Sequence, residues 1–223
     1  MSGMVSSTSA TSTTIASTSG RRKPPEERRA EIVAAAAAIA LDEGLERVTL
    51  RAVAGRLGVR PGLISHYFSA AEDLVAAGFA YAISDERNRL VPLDGTPLER
   101  IARLVLRVRS AGGIKLAKLW LNARHLARFS APVALSIEEQ EALDRAQLRE
   151  LIAAGVRSGD FVAEPGAATV RILVAIDGFG AYVNNPASFD EPAFTEFVAD
   201  VVSWALELDA DVLREAMERA AEA

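Results

Sequence analysis

Residues 49–74, TLRAVAGRLGVRPGLISHYFSAAEDL, are the stretch of this chain that decides its fold. The first half places apolar residues at the i, i+3, i+4, i+7 spacing of a helix, with Thr49 as the N-cap and Gly58 at the end. Proline is tolerated in a first helical turn, so Pro61 opens a second short helix that runs to about Tyr67. Two short helices joined by a glycine turn predict a helix-turn-helix, whose second helix would enter the major groove of DNA by its N-terminal end. The spacing by itself also fits any helical hairpin.

Helices also dominate the chain on both sides of this stretch. Ala, Leu, Arg and Glu are frequent, and the alternation expected of strands is nearly absent. A preceding helix begins near Pro25 and stops at Gly44, and breaks at glycine, proline and serine divide the last part of the chain into about five helices. Gly112 and Gly113 mark either one of these breaks or a kink within a longer helix. The sequence therefore predicts an all-α protein.

The composition of the 223 residues excludes several kinds of site. Because cysteine is absent, the chain has no disulfide, no thiolate metal ligand and no cysteine nucleophile. The two histidines, His66 and His125, lie far apart in the sequence, so no metal site is predicted. The longest strongly apolar run, residues 32–41, is too short to span a bilayer, so no membrane partner is predicted. No secretory signal and no common catalytic or cofactor-binding motif is present, which predicts a cytoplasmic protein that is not an enzyme and uses no cofactor.

The net charge of −5 argues at first against a nucleic-acid partner, because phosphate groups attract a cationic surface. The charge is unevenly distributed along the chain. Residues 1–72 hold nine Lys and Arg against seven Asp and Glu, a surplus of +2, whereas the remaining residues hold sixteen against twenty-three, a balance of −7. The helix-turn-helix therefore belongs to a mildly basic part of an acidic chain.

Further residues around the helix-turn-helix follow a more specific pattern. It consists of Gly58-Val59, Gly62 and the string Ile64-Ser65-His66-Tyr67-Phe68, followed by Glu72 and Leu74 and preceded by Ile32, Ala36, Gly44, Val48-Thr49 and Val53-Ala54. This pattern, which covers residues 29–74, resembles the DNA-binding domain of the TetR family of bacterial repressors. The Ser-His-Tyr-Phe string is similar to the branch of that family that contains the choline-responsive regulators of betaine synthesis.

The resemblance implies a division of the chain into three segments. Residues 1–23 are expected to form a disordered Ser/Thr-rich tail that ends in a basic arm, because twelve of the first twenty residues are Ser or Thr and none is charged. Residues 24–72 would be the three-helix, helix-turn-helix DNA-binding domain, and residues 73–223 a helical effector-binding and dimerisation domain. The arm, Arg21, Arg22 and Lys23, would enter the minor groove or form a solvated charge run.

The resemblance also implies a set of DNA-binding residues. Thr49 and Tyr67 would lie near phosphate groups, and Arg51 would reach a base edge, where arginine pairs with guanine O6 and N7. The predicted DNA-binding residues are Thr49, Arg51, Arg60, Pro61, Gly62, Leu63, Ser65, His66 and Tyr67. Two positions depart from the family pattern, since Ala71 replaces a frequent phosphate-binding lysine and Ser65 a frequent tyrosine. Each departure can remove a contact with the DNA backbone.

Two segments of the C-terminal domain are candidates for dimerisation. The helix predicted from about Pro165 to Tyr182 carries small residues that permit close helix approach, and residues 194–208 carry a wide apolar stripe. The small residues are Ala167, Ala168, Ala175, Gly178 and Ala181. Together the two segments would form a four-helix interface across a two-fold axis. The alternative is that both complete the core of a single chain.

A pocket for an effector is predicted from aromatic residues with a few polar neighbours. The candidate residues are Trp120, Asn122, Arg124, His125, Phe129, Asp177, Phe179 and Tyr182. Asp177 interrupts an apolar run, and an acid among aromatic rings would suit a cationic ligand. The alternative for Asp177 is a hydrogen-bonded acid in the core or an ion pair at an interface.

These observations predict a DNA-binding transcriptional regulator. Its partners would be a double-stranded DNA operator, an unknown small-molecule effector and a second copy of the chain, and it would act as a homodimeric repressor released from a palindromic operator by the effector. The alternative is a helical ligand-binding or interaction protein that has lost its operator function, as the departures at Ser65 and Ala71 would allow.

Overall fold

The computed structural model of the protein describes residues 23–90, 94–185 and 189–222, and all regular secondary structure in these ranges is helical. The predicted all-α class is thereby confirmed. The predicted tail lies outside the described residues except for Lys23. The helices are α1 Pro25–Asp42, α2 Leu50–Leu57, α3 Pro61–Tyr67, α4 Ala71–Leu90, α5 Pro97–Arg109, α6 Ala111–Leu126, α7 Ala131–Ser158, α8 Pro165–Val183, α9 Pro192–Thr195, α10 Phe197–Leu206 and α11 Ala210–Glu222. A short 3-10 turn, Leu45–Arg47, joins α1 to α2.

The local signals in residues 49–74 act as the sequence predicts. The Oγ1 atom of Thr49 accepts a hydrogen bond from the Ala52 backbone N–H at 3.0 Å, which caps α2. Gly58 ends α2 in the left-handed conformation with φ of 65°, where a side chain would be strained. Pro61 is the first residue of α3, and Tyr67 is the last. The helix-turn-helix is therefore built by caps and breakers within the stretch itself.

The C-terminal part contains more helices than the five predicted, because α9 is separate from α10 and α11 follows a further turn. The break expected near Gly112 and Gly113 lies at Ser110, which ends α5 and caps α6 by accepting from the Gly113 N–H at 3.2 Å. Gly113 lies in the first turn of α6. A Cβ atom there would approach the Arg107 carbonyl oxygen to 2.2 Å, so the two helices meet too closely for a side chain.

Two groups of buried apolar residues form the core. The first joins α1–α4 to α6 and α7 and includes Ile32, Phe79, Leu119 and Ile137. The second joins α5, α7, α8, α10 and α11. The twenty-residue helix α4 begins just after the helix-turn-helix and continues across the predicted boundary at residue 72. Helices α1 and α4, which flank the helix-turn-helix, both pack on α6, and α4 also packs on α7. Helices α6 and α7 also wall the cavity described below.

The two candidate dimerisation segments have one buried and one exposed side. Ala168 of α8, and Val202 and Ala205 of α10, belong to the second core group, and Ala175 of α8 is also buried. On the exposed side, Val174 and Trp204 are 65% and 62% exposed, and the guanidinium of Arg171 lies 4.5 Å from the Trp204 ring. Among the described helices, α8 is long and apolar enough by length and composition to cross a membrane, and a third of its apolar stretch is buried in the fold.

Candidate nucleic-acid interface and cavity

The outer face of α3 carries most of the predicted DNA-binding residues. Arg60, Pro61, Gly62, Ser65 and His66 are exposed. Leu63 and Tyr67 are partly buried, and the His66 and Tyr67 rings meet edge to face at 5.3 Å. The inner face of the helix is anchored in the first core group by Ile64, and Phe68 is buried just beyond its end. The helix therefore presents its first turn and one polar face to the outside.

Two residues of this face have features specific to α3. The Ser65 hydroxyl donates to the Pro61 carbonyl oxygen at 3.2 Å, so it is engaged within its own helix. Gly62 lies open, since a Cβ atom placed there would meet no protein atom within 4 Å. Nothing in the packing of the described residues requires a glycine at this position. The space beside the first turn is free for another molecule.

Helix α2 presents two arginines of different character. Arg51 is exposed and, among the described residues, has no ion-pair or hydrogen-bond partner. Arg56 lies within 3.5 Å of Asp42 and 3.7 Å of Glu43 at the end of α1. Because α-helical residues advance by 100° each, the two side chains point about 140° apart around the helix. Arg51 is therefore the free cation of α2 and Arg56 the internally paired one.

The predicted basic arm is described only at Lys23. Its ammonium group is ion-paired with Glu31 of α1, which also binds Arg28 at 2.8 Å. Arg21 and Arg22 lie outside the described residues, so the arm stays a prediction. At the other end of the motif, Ala71 opens α4 with Glu72 and Asp73 in the first turn. Glu72 accepts a hydrogen bond from Ser130 of the C-terminal part at 3.1 Å.

A cavity of about 440 Å³ lies in the C-terminal part, between α4 and α8. This volume falls within the range of about 300–1,000 Å³ that is usual for small-molecule sites. Four of the eight predicted pocket residues line it, namely Trp120, Arg124, Asp177 and Phe179. The rest of the wall is largely apolar and includes Ile83, Leu104, Val108, Leu116, Leu121, Leu148, Val170, Leu173, Val174 and Ile176.

The other four predicted pocket residues lie elsewhere. The Asn122 side-chain amide donates to Glu46 at 2.8 Å, which ties α6 to the turn that precedes α2. His125 meets the ring of Phe129 at 5.7 Å, and Phe129 is 73% exposed beside a smaller pocket. Tyr182 is exposed against Phe189. The structure thus separates residues that the sequence pattern had grouped.

One ion-pair cluster at the cavity joins three helices. Arg124 of α6 lies 3.1 Å from Glu141 of α7 and 2.8 Å from Asp177 of α8. Its guanidinium also lies 5.3 Å from the Trp120 ring. Burial lowers the pKa of Arg124, but the hydrogen bonds and charges of Asp177 and Glu141 outweigh it, so the net shift is upward and Arg124 stays charged. Asp177 is therefore an ion-paired acid, the alternative that the sequence left open.

A second ion pair lies deeper in the wall. Arg87 of α4 lies 2.5 Å from Asp144 of α7 and donates to the Gln140 side chain at 2.8 Å. Burial raises the pKa of the Asp144 carboxyl, and although Arg87 acts in the opposite direction, nearby Glu141 and Asp177 add to the rise. Arg145 also lines the cavity and, within the described ranges, has no charged or hydrogen-bonding partner.

The sequence reasoning missed the contribution of α7 to this wall. Glu141, Asp144, Arg145 and Leu148 recur at i, i+3, i+4 and i+7, the spacing of one helix face. A charged face of a helix is usually solvated, so the pattern carries no signal of a cavity. Their position at the cavity follows only from the packing of α7 on α4, α6 and α8. No group of three described His, Asp or Glu side chains is arranged to hold a metal ion.

Comparisons with known proteins agree with this arrangement. The sequence model described as "Bacterial regulatory proteins, tetR family" matches residues 32–77, which span the helix-turn-helix. No curated protein matches the chain significantly in sequence.

Solved structures share the fold along most of the chain. A transcriptional regulator from Saccharomonospora viridis in complex with choline is 19% identical, with a TM-score of 0.65 over 80% of this chain and 96% of that one. GusR from Salmonella enterica is 15% identical, with a TM-score of 0.63 over 83% and 98%. A TetR transcription regulator from Haloarcula marismortui is 19% identical, with a TM-score of 0.60 over 88% and 96%. Residues 32–77 thus match the TetR-family model across the helix-turn-helix, and the described chain shares its helical fold with solved transcriptional regulators.

Proposed function

We propose that the protein is a homodimeric repressor that leaves a palindromic operator when a small-molecule effector occupies the C-terminal cavity. The observation that carries the proposal is the first turn of α3, which is exposed and open at Gly62 within a TetR-type domain. Such a helix enters the major groove by its N-terminal end. As a regulator of bacterial type, it would act on DNA in the cytoplasm.

The proposed contacts divide into base-reading and positioning groups. Arg51 is exposed and has no partner among the described residues, which suits a bidentate contact with guanine. Tyr67 and the capped start of α2 at Thr49 would hold phosphate groups, with Arg60, Pro61, Leu63, Ser65 and His66 on the remaining contact surface. Because the Ser65 hydroxyl is engaged by Pro61 and Ala71 offers no charge, the arginines must supply most of the attraction to DNA.

Selection of operators from random DNA, followed by mobility-shift titration, tests this proposal. Arg51→Ala is expected to weaken the preferred site by about 1–3 kcal/mol and to relax one base position. Arg56→Ala is the matched control, because it removes the same side chain from the same helix but from a paired position about 140° away. The control is expected to bind within a factor of about two of the native protein.

The outcomes separate the proposal from its alternative. If Arg51→Ala and Arg56→Ala bind the site equally well, the base-reading role of Arg51 is wrong. If no selected DNA forms a specific, salt-sensitive complex with the native protein, the alternative of a helical ligand-binding protein without operator function is favoured. The departures at Ser65 and Ala71 are the features that would explain that result.

The exposed side of α8 and α10 supports the homodimer. Val170 and Val174 of α8 and Phe197 and Trp204 of α10 leave large apolar surfaces uncovered in the single chain. Gly178 and Ala181 lie exposed on α8, and a Cβ atom at Gly178 would meet nothing within 4 Å, so a second helix can approach closely there. Two copies joined by this face would form a four-helix interface. For a simple palindrome their α3 helices would lie roughly 34–36 Å apart.

Helix α6 supports release by an effector, because it touches both the cavity and the DNA-binding domain. Trp120 and Arg124 line the cavity, while Asn122 on the same helix binds Glu46 beside α2. A ligand that fits the cavity better in one position of α6 would bias the position of the helix-turn-helix. The choline bound to the Saccharomonospora viridis regulator supports the idea that a cavity of this fold takes a small molecule.

A further inference from the structure

The cluster at Arg124 has the composition of a cation-binding site. Two carboxylates, Glu141 and Asp177, and one aromatic ring, Trp120, surround a single positive group. Such a combination attracts a cation through both charge and the ring face. Here the positive group is the guanidinium of the chain itself.

A free cationic ligand would have to displace this guanidinium. Arg124 is tethered to the same helix as Trp120, so it competes at the high effective concentration of an intramolecular group. Its guanidinium also lies 2.8 Å from Asp177 and 3.1 Å from Glu141. If a ligand displaced it, the guanidinium would lose both ion pairs and be hydrated by solvent instead. The competition therefore disfavours a cationic ligand.

The remaining charges of the wall point to the opposite kind of ligand. Asp144 is already bound by Arg87 at 2.5 Å, so none of the three acids of the wall is without an arginine. Arg145 is the cavity arginine for which the described part of the chain shows no acidic partner. A ligand with a negative head group would find its counter-charge there, and its apolar part would lie against the leucine, isoleucine and valine side chains of the wall.

We propose that Arg124 fills the cation position of this cavity and that the effector is an amphipathic molecule with an apolar body and an anionic head group paired with Arg145. This inference rests on the proposed function, in which the cavity is the effector site. It narrows that site to a class of ligand opposite in charge to choline.

Two probes with the same tail and opposite charge test the ligand class. Decanoate and decyltrimethylammonium are titrated by calorimetry into the full native chain. Decanoate is expected to bind about tenfold more tightly or better, a difference of about 1.4 kcal/mol. Equal affinity, a preference for decyltrimethylammonium, or no binding of decanoate would each overturn the proposal.

Variants of Arg124 test why the preference exists. Arg124→Met removes the guanidinium, keeps similar apolar volume and is expected to bind decyltrimethylammonium at least about tenfold more tightly than the native protein does. Arg124→Lys is the matched control, because it keeps the charge and should keep the native preference. If Arg124→Met gains no affinity for decyltrimethylammonium, Arg124 does not occupy a cation site.

A variant outside the cluster covers the case in which Arg124→Met fails to fold. Arg145→Gln is expected to lose about tenfold or more in decanoate affinity, while its weak binding of decyltrimethylammonium stays unchanged. Unchanged decanoate affinity would overturn the role of Arg145. None of these titrations contains DNA, so failure to bind an operator and failure of the ligand class are seen in separate experiments.

Discussion

Gly62 offers a prediction in which stability and DNA binding change in opposite directions. It is the second residue of α3, and a Cβ atom there meets no atom of the described residues within 4 Å. Its φ is not among the positive values of the chain, so alanine fits the backbone without strain. Gly62→Ala should therefore preserve the fold. Any loss of DNA binding would then come from contact between the added methyl group and the DNA.

The size of each effect follows from this geometry. Alanine restricts the unfolded chain and favours the helix, which should raise the free energy of unfolding by about 0.5–1 kcal/mol. For a chain of this length that corresponds to a rise in Tm of about 1–4 °C. If the first turn of α3 lies against DNA, the added methyl group should cost about 1–3 kcal/mol of binding, as overpacking does elsewhere. That cost is a rise in the operator Kd of about 5- to 150-fold.

Thermal unfolding and mobility-shift titration of the same preparation measure the two effects. Gly55→Ala calibrates the stability gain, because Gly55 is also helical, exposed and open to a Cβ atom. The reasoning is refuted if Gly62→Ala binds the selected operator as tightly as the native protein, since Gly62 would then lie away from DNA. A lower Tm in Gly62→Ala would refute the conclusion that the position is open.

Two further predictions concern the C-terminal part. Trp204→Glu should convert the proposed dimer to monomers in sedimentation, because it places a charge on the proposed interface. Leu143→Glu, on the exposed surface of α7, should leave that dimer intact. A Trp204→Glu variant that sediments as a dimer would exclude this face. The Gly166 and Ala167 backbone N–H groups, at 2.9 and 2.5 Å, hold the pKa of the Glu164 carboxyl below its usual value. The stabilising effect of the Glu164 carboxylate should therefore be fully present above the pKa that Glu164 has in the unfolded chain. It should be lost as pH falls through the lower pKa of the folded chain. An NMR titration midpoint of Glu164 at or above that of a free glutamate would contradict its role as the cap of α8.

The helix-turn-helix could be predicted because its signals are local. Thr49 caps a helix by bonding to an N–H three residues later, Gly58 ends it by its own backbone freedom, and Pro61 starts the next by its fixed φ. Each signal acts within one turn, so neighbouring residues are sufficient to read it. The sequence predicts the break before α6 at Gly112 and Gly113, but it lies at Ser110. A glycine pair is a stronger sequence signal for a break than a single serine, although here the serine caps the helix.

The cavity could be predicted only in part. Trp120, Arg124, Asp177 and Phe179 reach it, but Asn122 lies on the same helix as Arg124 and faces the DNA-binding domain. Helical periodicity shows which residues share one face of a helix. Which other helix covers that face depends on the packing of the whole chain. For this reason the sequence does not predict that the charged face of α7 lines the cavity, because the same pattern occurs on solvated helices.

The sequence by itself determined the all-α class, the helix-turn-helix and the family resemblance, since caps, breakers and helical periodicity depend on neighbours within a few residues. Tertiary structure decided the chemistry of the cavity. Arg124 meets Glu141 across 17 residues of sequence and Asp177 across 53, and the aspartate that suggested a cationic ligand is thereby already paired. An acid in a sequence carries no information about its counter-charge, because that partner arrives from another helix only when the chain folds.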